Sequence, residues 1–367
     1  MSLTPAVASA SPTPQENRKA FESDVDALLQ GYVSKHDWAG NVAIAYGGRQ
    51  IVRSAYGIGD RTWGIPTRPD AVYRVGSVTK MFTSVLVLQL VQAGQLSLDT
   101  SVRTYLPDLP PAWQPITIRH LLNHTSGLPE YMSSTNSFRT LMRVDRTPDA
   151  VLALVRQQPL RFVPGSKYEY SNTNYVALGL IIEKLAGKPY AEIVETRLLR
   201  PLGMTHSGYF DYTRIVPSLV PGYFRDDGRL QNMFYIAPSM VYAAGNLYSS
   251  IDDLLLWDRA LHDTETVGLA PALKKEMLRN QGFGYGFGTF VDTVDGETAV
   301  GHGGTLPGYQ LGYLRFMRLP LTVLVLTNVS PTDVDKMAFD LAKLFFKHCG
   351  QAAPAEQCDL TAPARGR

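Results

Sequence analysis

Strand-like patterns lie at the two ends of this 367-residue chain and are missing from its middle, and no other feature narrows the fold as much. Near the start, residues 41–46 and 50–56 are short β-branched and aromatic runs. Gly47 and Gly48 separate them and supply the positive φ that a tight hairpin turn needs. Near the end, strand patterns recur at residues 286–291, 298–301, 309–317 and 321–327. Helical spacing frames both sets: Phe21, Val25, Leu28, Leu29 and Val33 mark a helix over 21–35, and residues 334–346 read as a closing helix. From about 77 to 280, helical patterns and loops dominate. The expected fold is α/β of the α+β kind, an antiparallel sheet drawn from both termini and flanked by terminal helices, with a mainly helical subdomain inserted.

These patterns divide the chain into a polar tail (1–23), one domain (24–348) and a C-terminal tail (349–367). Within the domain, the sheet subdomain takes residues 24–75 and 281–348 and the helical subdomain takes 76–280. At 45% hydrophobic residues, the chain has ample material for a core. The first fifteen residues are rich in Ala, Ser, Pro and Thr but lack the basic start and apolar centre of an intact signal peptide; a remnant of one and a simple tail both remain open. The longest apolar stretch, 81–91, contains Thr83, Ser84 and Gln89 and is too short for a transmembrane helix. Lys and Arg total 35 against 33 Asp and Glu, without a long basic block, so no nucleic-acid partner is expected. The two cysteines, Cys349 and Cys358, form either a small disulfide loop or an unpaired set of thiols. A periplasmic or secreted location is the favoured reading. Oligomeric state is not readable.

Residues 73–94, YRVGSVTKMFTSVLVLQLVQAG, carry the first chemical signal. Ser77 stands where a helix should start, and residues 81–91 are apolar on nearly every face, so the helix should be buried, with Gly94 ending it. Ser77 and Lys80, three residues apart, project from one face of its first turn. A Lys there must find a polar partner, and burial disfavours its charged form, so its amine can accept the Ser77 proton near neutrality. The helix start also favours negative charge developing at Ser77, whose own N–H can help hold an oxyanion. Ser-x-x-Lys occurs once in the chain and is a weak motif alone; a Ser cap followed by a surface Lys is its structural alternative.

Tyr170-Ser171-Asn172 precedes a second helical pattern, residues 172–186, and is placed to face a cleft. The Tyr170 hydroxyl can relay a proton to a leaving group. The Asn172 amide can donate to a substrate carbonyl and accept from Lys80. His302-Gly303-Gly304 follows the strand at 298–301. The glycines would let the strand edge approach a bound acyl group, with the Thr305 N–H as second oxyanion donor; a bulge or turn is the alternative.

In these three motifs the chain resembles the large family of serine β-lactamases, penicillin-binding DD-peptidases and related esterases, most closely its class C-like branch. AGQLSLDTSVRTYLP from Ala93, ITIRHLLNHTSGLP from Ile116 and RPLGMTHS from Arg200 extend the likeness over roughly residues 24–346. The resemblance implies an acyl-enzyme on Ser77, proton transfer shared by Lys80 and Tyr170, substrate orientation by Asn172, and a cleft wall at His302, Gly303, Gly304 and Thr305. No cofactor or metal is expected. Family members efficient on β-lactams usually carry Lys-Thr-Gly or Lys-Ser-Gly in the third motif. With His302 and Gly303 there instead, carboxylate anchoring should weaken. The expected activity is therefore hydrolysis of small-molecule esters or amides, including peptides and lactams, with an esterase or D-peptidase favoured over an efficient β-lactamase. A low-turnover penicillin-binding regulator or pseudoenzyme is the alternative. No Ser has the flanking glycines of an α/β-hydrolase elbow, and His120 and His124, four residues apart on a helix expected over 118–124, lack the intervening Glu of a zinc protease, so these two are expected to cap and pack the loop at HTSGLP.

Overall fold

The computed structural model describes residues 13–132, 139–262, 264–294, 296–349, 358 and 360. Thr13 opens helix α1 (Pro14–His36) with a capping box to Glu16, and Asp37 ends it in the left-handed conformation. Strands β1 (Gly40–Tyr46) and β2 (Arg49–Tyr56) form the hairpin expected at Gly47-Gly48, whose φ values are 56° and 74°. A short strand, β3 (Val72–Arg74), leads through the 3-10 turn Gly76–Val78 into helix α2 (Thr79–Gln92). The inserted region contributes α3 (Asn172–Ala186), α4 (Pro238–Gly245) and α5 (Ile251–His262). Strands β4 (Phe290–Val294), β5 (Glu297–Leu306), β6 (Tyr309–Phe316) and β7 (Leu321–Thr327) precede the last helix, α6 (Val334–Cys349).

The sheet runs β4-β5-β6-β7-β1-β2, with β1 paired antiparallel to β7, so the two ends of the chain meet at its centre. Alternation along these strands sorts side chains into two cores. Val42 and Ile44 on β1 and Val323 and Val325 on β7 pack with Phe21 and Leu29 of α1 and Leu341 and Phe345 of α6. Ala43, Leu324 and Leu326 face the other way, into a larger core with α2 and α3. At 1.5–3 kcal/mol for each large apolar side chain fully buried, roughly, the residues of α2 hold that helix at the centre of the second core.

Three local expectations are corrected. Residues 286–289 form a turn closed by Gly286 N–H donating to the Thr289 carbonyl at 2.8 Å, and the strand begins only at Phe290. Gly288 has φ +70°, and a Cβ there would stand 2.6 Å from the Lys80 carbonyl, so this stretch is a close-packed loop against α2. The helix expected over 118–124 stops at Leu122, because His124 adopts φ 59°. His302-Gly303-Gly304 lies inside β5 and not beyond a strand; its pairing with β6 is regular from Ala299 to Leu306. Cys349 and Cys358 are joined by a disulfide, which resolves the alternatives left open in the sequence.

Candidate active site

Two glycines bring the Ser77 turn against β5. Gly76 has φ 53°, and a Cβ there would come 2.8 Å from the Thr305 nitrogen; a Cβ on Gly304 would come 2.0 Å from the Val75 carbonyl oxygen. Main chain thus meets main chain, a contact that larger residues would prevent. As a result Ser77 and Thr305 line the same cleft, of 450 Å³, together with Asn172. The remaining wall is largely apolar, with Met132, Met142, Phe224, Val241, Leu306 and Pro307, and carries Arg225, Gln310 and Ser330 as its polar side chains.

Lys80 has no exposed surface. Its Nζ donates to Ser77 Oγ at 3.1 Å, to Asn172 Oδ1 at 2.7 Å and to the Ala244 carbonyl at 2.8 Å, and it sits 4.9 Å from the centre of the Tyr170 ring. Burial pulls its pKa down to about 7, partly offset by the Glu130 carboxylate. Burial acts oppositely on Tyr170, pushing its hydroxyl well above the usual range, while a hydrogen bond with Ser77 works in the other direction. Near neutrality the pair therefore comprises an amine able to lose its proton and a phenol that keeps its own.

Asn172 is the first residue of α3, whose cap residue Ser171 makes no side-chain capping bond. Glu130 fills that role from a neighbouring loop. Its Oε2 accepts from the Asn172 backbone N–H at 2.5 Å and from Nδ2 at 3.0 Å, and its Oε1 accepts from the Met132 N–H at 2.9 Å. A carboxylate at a helix N-terminus is favourable, although burial pushes this carboxyl up.

Of the residues expected at the site, Ser77, Lys80, Tyr170 and Asn172 are brought together around one ammonium, and Thr305 joins them across the cleft. His302 is placed differently. Alternation on β5 turns its ring into a buried aromatic cluster, with Tyr170, Tyr285 and Phe290 ring centres 6.1, 5.8 and 4.9 Å away. Nδ1–H donates to the Gly303 carbonyl at 2.5 Å and the Tyr285 hydroxyl donates to Nε2 at 2.9 Å, the tautomer that satisfies both. Burial first, and then the nearby Lys80 charge, draws its pKa down to about 3, so the imidazole is neutral and presents no cation to the cleft. Neither it nor Gly303 or Gly304 is among the residues lining the 450 Å³ cleft.

Sequence reasoning missed Glu130, the Ala244 carbonyl and Tyr285. Glu130 directly follows the LP of ITIRHLLNHTSGLP, the one signal that could have flagged it. His120 accepts the Thr117 N–H as a capping group. His124 Nδ1 accepts the Ser171 N–H at 3.2 Å, with the ring 4.3 Å from that of Tyr170.

Fold and site together define a serine hydrolase. The chain belongs to the Beta-lactamase family, which it matches over residues 25–345. It is 29% identical over 341 residues to a penicillin-binding protein of Bacillus subtilis (strain 168), covering 86% of this chain and 72% of that one. It is 32% identical over 362 residues to Esterase EstB of Burkholderia gladioli, covering 83% of this chain and 90% of the esterase. The octameric penicillin-binding protein homologue from Pyrococcus abyssi superposes with a TM-score of 0.81 at 27% identity, over 89% of this chain and 77% of that structure. Among the described residues no helix is long and apolar enough to cross a membrane.

Proposed function

We propose that the protein is an acyl-enzyme-forming hydrolase of uncharged carboxylic esters. The observation that carries this reading is the 3.1 Å contact between Lys80 Nζ and Ser77 Oγ at an amine whose pKa burial has lowered to about 7. Neutral Lys80 takes the Ser77 proton as Oγ bonds to the ester carbonyl carbon. The oxyanion is held by the N–H groups of Ser77 and Thr305, and Asn172 Nδ2, with one proton committed to Glu130, offers its other to the acyl group. Collapse expels the alcohol, which receives the proton from Lys80 by way of the Tyr170 hydroxyl. Water, activated along the same path in reverse, then releases the acid and restores Ser77.

An ester is favoured over a β-lactam because His302 is neutral and buried, so the third motif offers no cation to a substrate carboxylate; Arg225, which does line the cleft, stands outside that motif. The apolar cleft wall and the likeness to an esterase point the same way. The test is mass spectrometry of the protein with a fluorophosphonate, alongside p-nitrophenyl butyrate turnover. A single adduct on Ser77, and loss of turnover in Ser77→Ala, are expected. Retained turnover in Ser77→Ala would sink the assignment, and a stable adduct without turnover of any ester would favour the penicillin-binding regulator.

A further inference from the structure

A second cavity, of 510 Å³, lies beside α4 and shares no lining residue with the Ser77 cleft. Val241, Ala244 and Gly245 of α4 line the cleft, whereas Pro238, Ser239 and Tyr242 of the same helix line this cavity. Its chemistry is also different. Tyr209, Tyr212, Tyr235 and Tyr242 supply aromatic walls, Asp145, Glu183 and Asp211 supply carboxylates, and no Lys or Arg is among the lining residues.

The tyrosines are held in place. The rings of Tyr212 and Tyr235 stand 4.6 Å apart at the rim, and the Tyr235 hydroxyl donates to Asp145 Oδ2 at 2.8 Å. Ser239 donates to the other oxygen of Asp145 at 3.1 Å, so that carboxylate is fixed at the mouth. At the inner wall, Tyr242 is 4% exposed and its hydroxyl lies beside the Glu183 carboxylate. Its backbone is at φ 32°, ψ −131°, a strained conformation for a residue with a Cβ. Gly179 accommodates the ring, since a Cβ there would stand 2.3 Å from it. Phe210 also lines the cavity, but the Arg74 guanidinium already lies 4.4 Å from its ring centre, so the four tyrosines carry the cation-binding role.

Electron-rich ring faces with carboxylates and no cation suit a positively charged organic group that sheds its water easily. We propose that this cavity is a binding site for an organic cation, a quaternary or protonated amine, distinct from the Ser77 cleft. An anionic ligand would meet three carboxylates and no Lys or Arg among the lining residues; a small inorganic cation would gain little from the rings relative to its hydration.

The test uses the whole protein with choline and its neutral isostere 3,3-dimethyl-1-butanol, followed by saturation-transfer NMR and calorimetry. Choline is expected to bind about tenfold or more tighter than the isostere, a difference set by charge alone. Tyr212→Leu and Tyr235→Leu, at rim positions 46% and 39% exposed, should each weaken choline about tenfold while the melting temperature holds. Asp211→Asn should weaken choline and leave the isostere unchanged. Equal affinity for the two probes, unaltered choline affinity in the rim variants, or no choline binding up to about 10 mM would each overturn the proposal.

Discussion

Glu130 Oε2 accepts two hydrogen bonds from a single residue, one from the backbone N–H and one from the side-chain Nδ2 of Asn172. The arrangement is directional. With Nδ2 committed to the carboxylate, Oδ1 must face the other way, where it accepts from Lys80 at 2.7 Å. One buried acid therefore closes the N-terminus of α3, sets the orientation of an amide, and raises the affinity of Lys80 for its proton.

Glu130→Ala frees the amide to flip and leaves three donors, two on Asn172 and the Met132 N–H, without their charged acceptor. Ester turnover should fall about tenfold to a hundredfold, mainly in kcat, from the loss of charge-assisted hydrogen bonds. Because the carboxylate raises the Lys80 pKa, its removal should also move the acid limb of the pH–rate profile to lower pH. Glu130→Gln should show the same shift with a smaller loss of kcat. An acid limb that stays in place in both variants would rule out the electrostatic part of this account.

Lys80 gives a second prediction. With a pKa of about 7 lowered by burial, the amine is protonated and unable to accept from Ser77 below that value, and free above it. The kcat/KM for a neutral ester should rise nearly tenfold per pH unit below about 7 and level off above it. Lys80→Arg should lose at least a thousandfold, roughly, since a guanidinium does not deprotonate in this range. A profile flat from pH 5.5 to about 8.5 would assign the base elsewhere.

How far the sequence disclosed this architecture depended on whether the signal was local. The β1–β2 hairpin and α3 carried periodicity and glycine punctuation in a single stretch, and they occur within a residue of the expected bounds. Ser77 and Lys80 were legible for the same reason, since one helical turn sets their spacing. Glu130 was not, because its meaning comes from the end of a helix that begins forty-two residues later. His302 could be placed in a motif but its direction could not: inside β5 the face it takes follows from the register with β6, where it pairs with Tyr313.

Neighbouring glycines of that strand should tolerate substitution very differently. Gly304→Ala would place a methyl 2.0 Å from the Val75 carbonyl oxygen, so β5 and the Ser77 turn must separate. Ester turnover should fall at least a hundredfold, roughly, with a stability loss of about 1–3 kcal/mol. At Gly303 the nearest atom to a new Cβ is an Asp335 carboxylate oxygen at 3.7 Å, ordinary contact, and Gly303→Ala should keep turnover within about threefold. Paired assays and thermal melts check both; equal effects would mean that the backbone contact does not set the distance between Ser77 and Thr305.

The Cys349–Cys358 bridge should affect stability and leave catalysis unchanged. It joins the end of α6 to Cys358, which is buried with Leu360 in the core that α1 and α6 form on the sheet. The Ser77 cleft is built on the other core, through Val241 and Ala244. Closing so short a loop restrains the unfolded chain by about 2–3 kcal/mol. The double variant Cys349→Ser, Cys358→Ser should thus melt about 2–4 °C lower while ester turnover at 25 °C stays within about twofold. Reductant should lower the melting temperature of the parent by a similar amount and leave the double variant untouched. A fall in the double variant as well would place the reductant's effect elsewhere than this bridge.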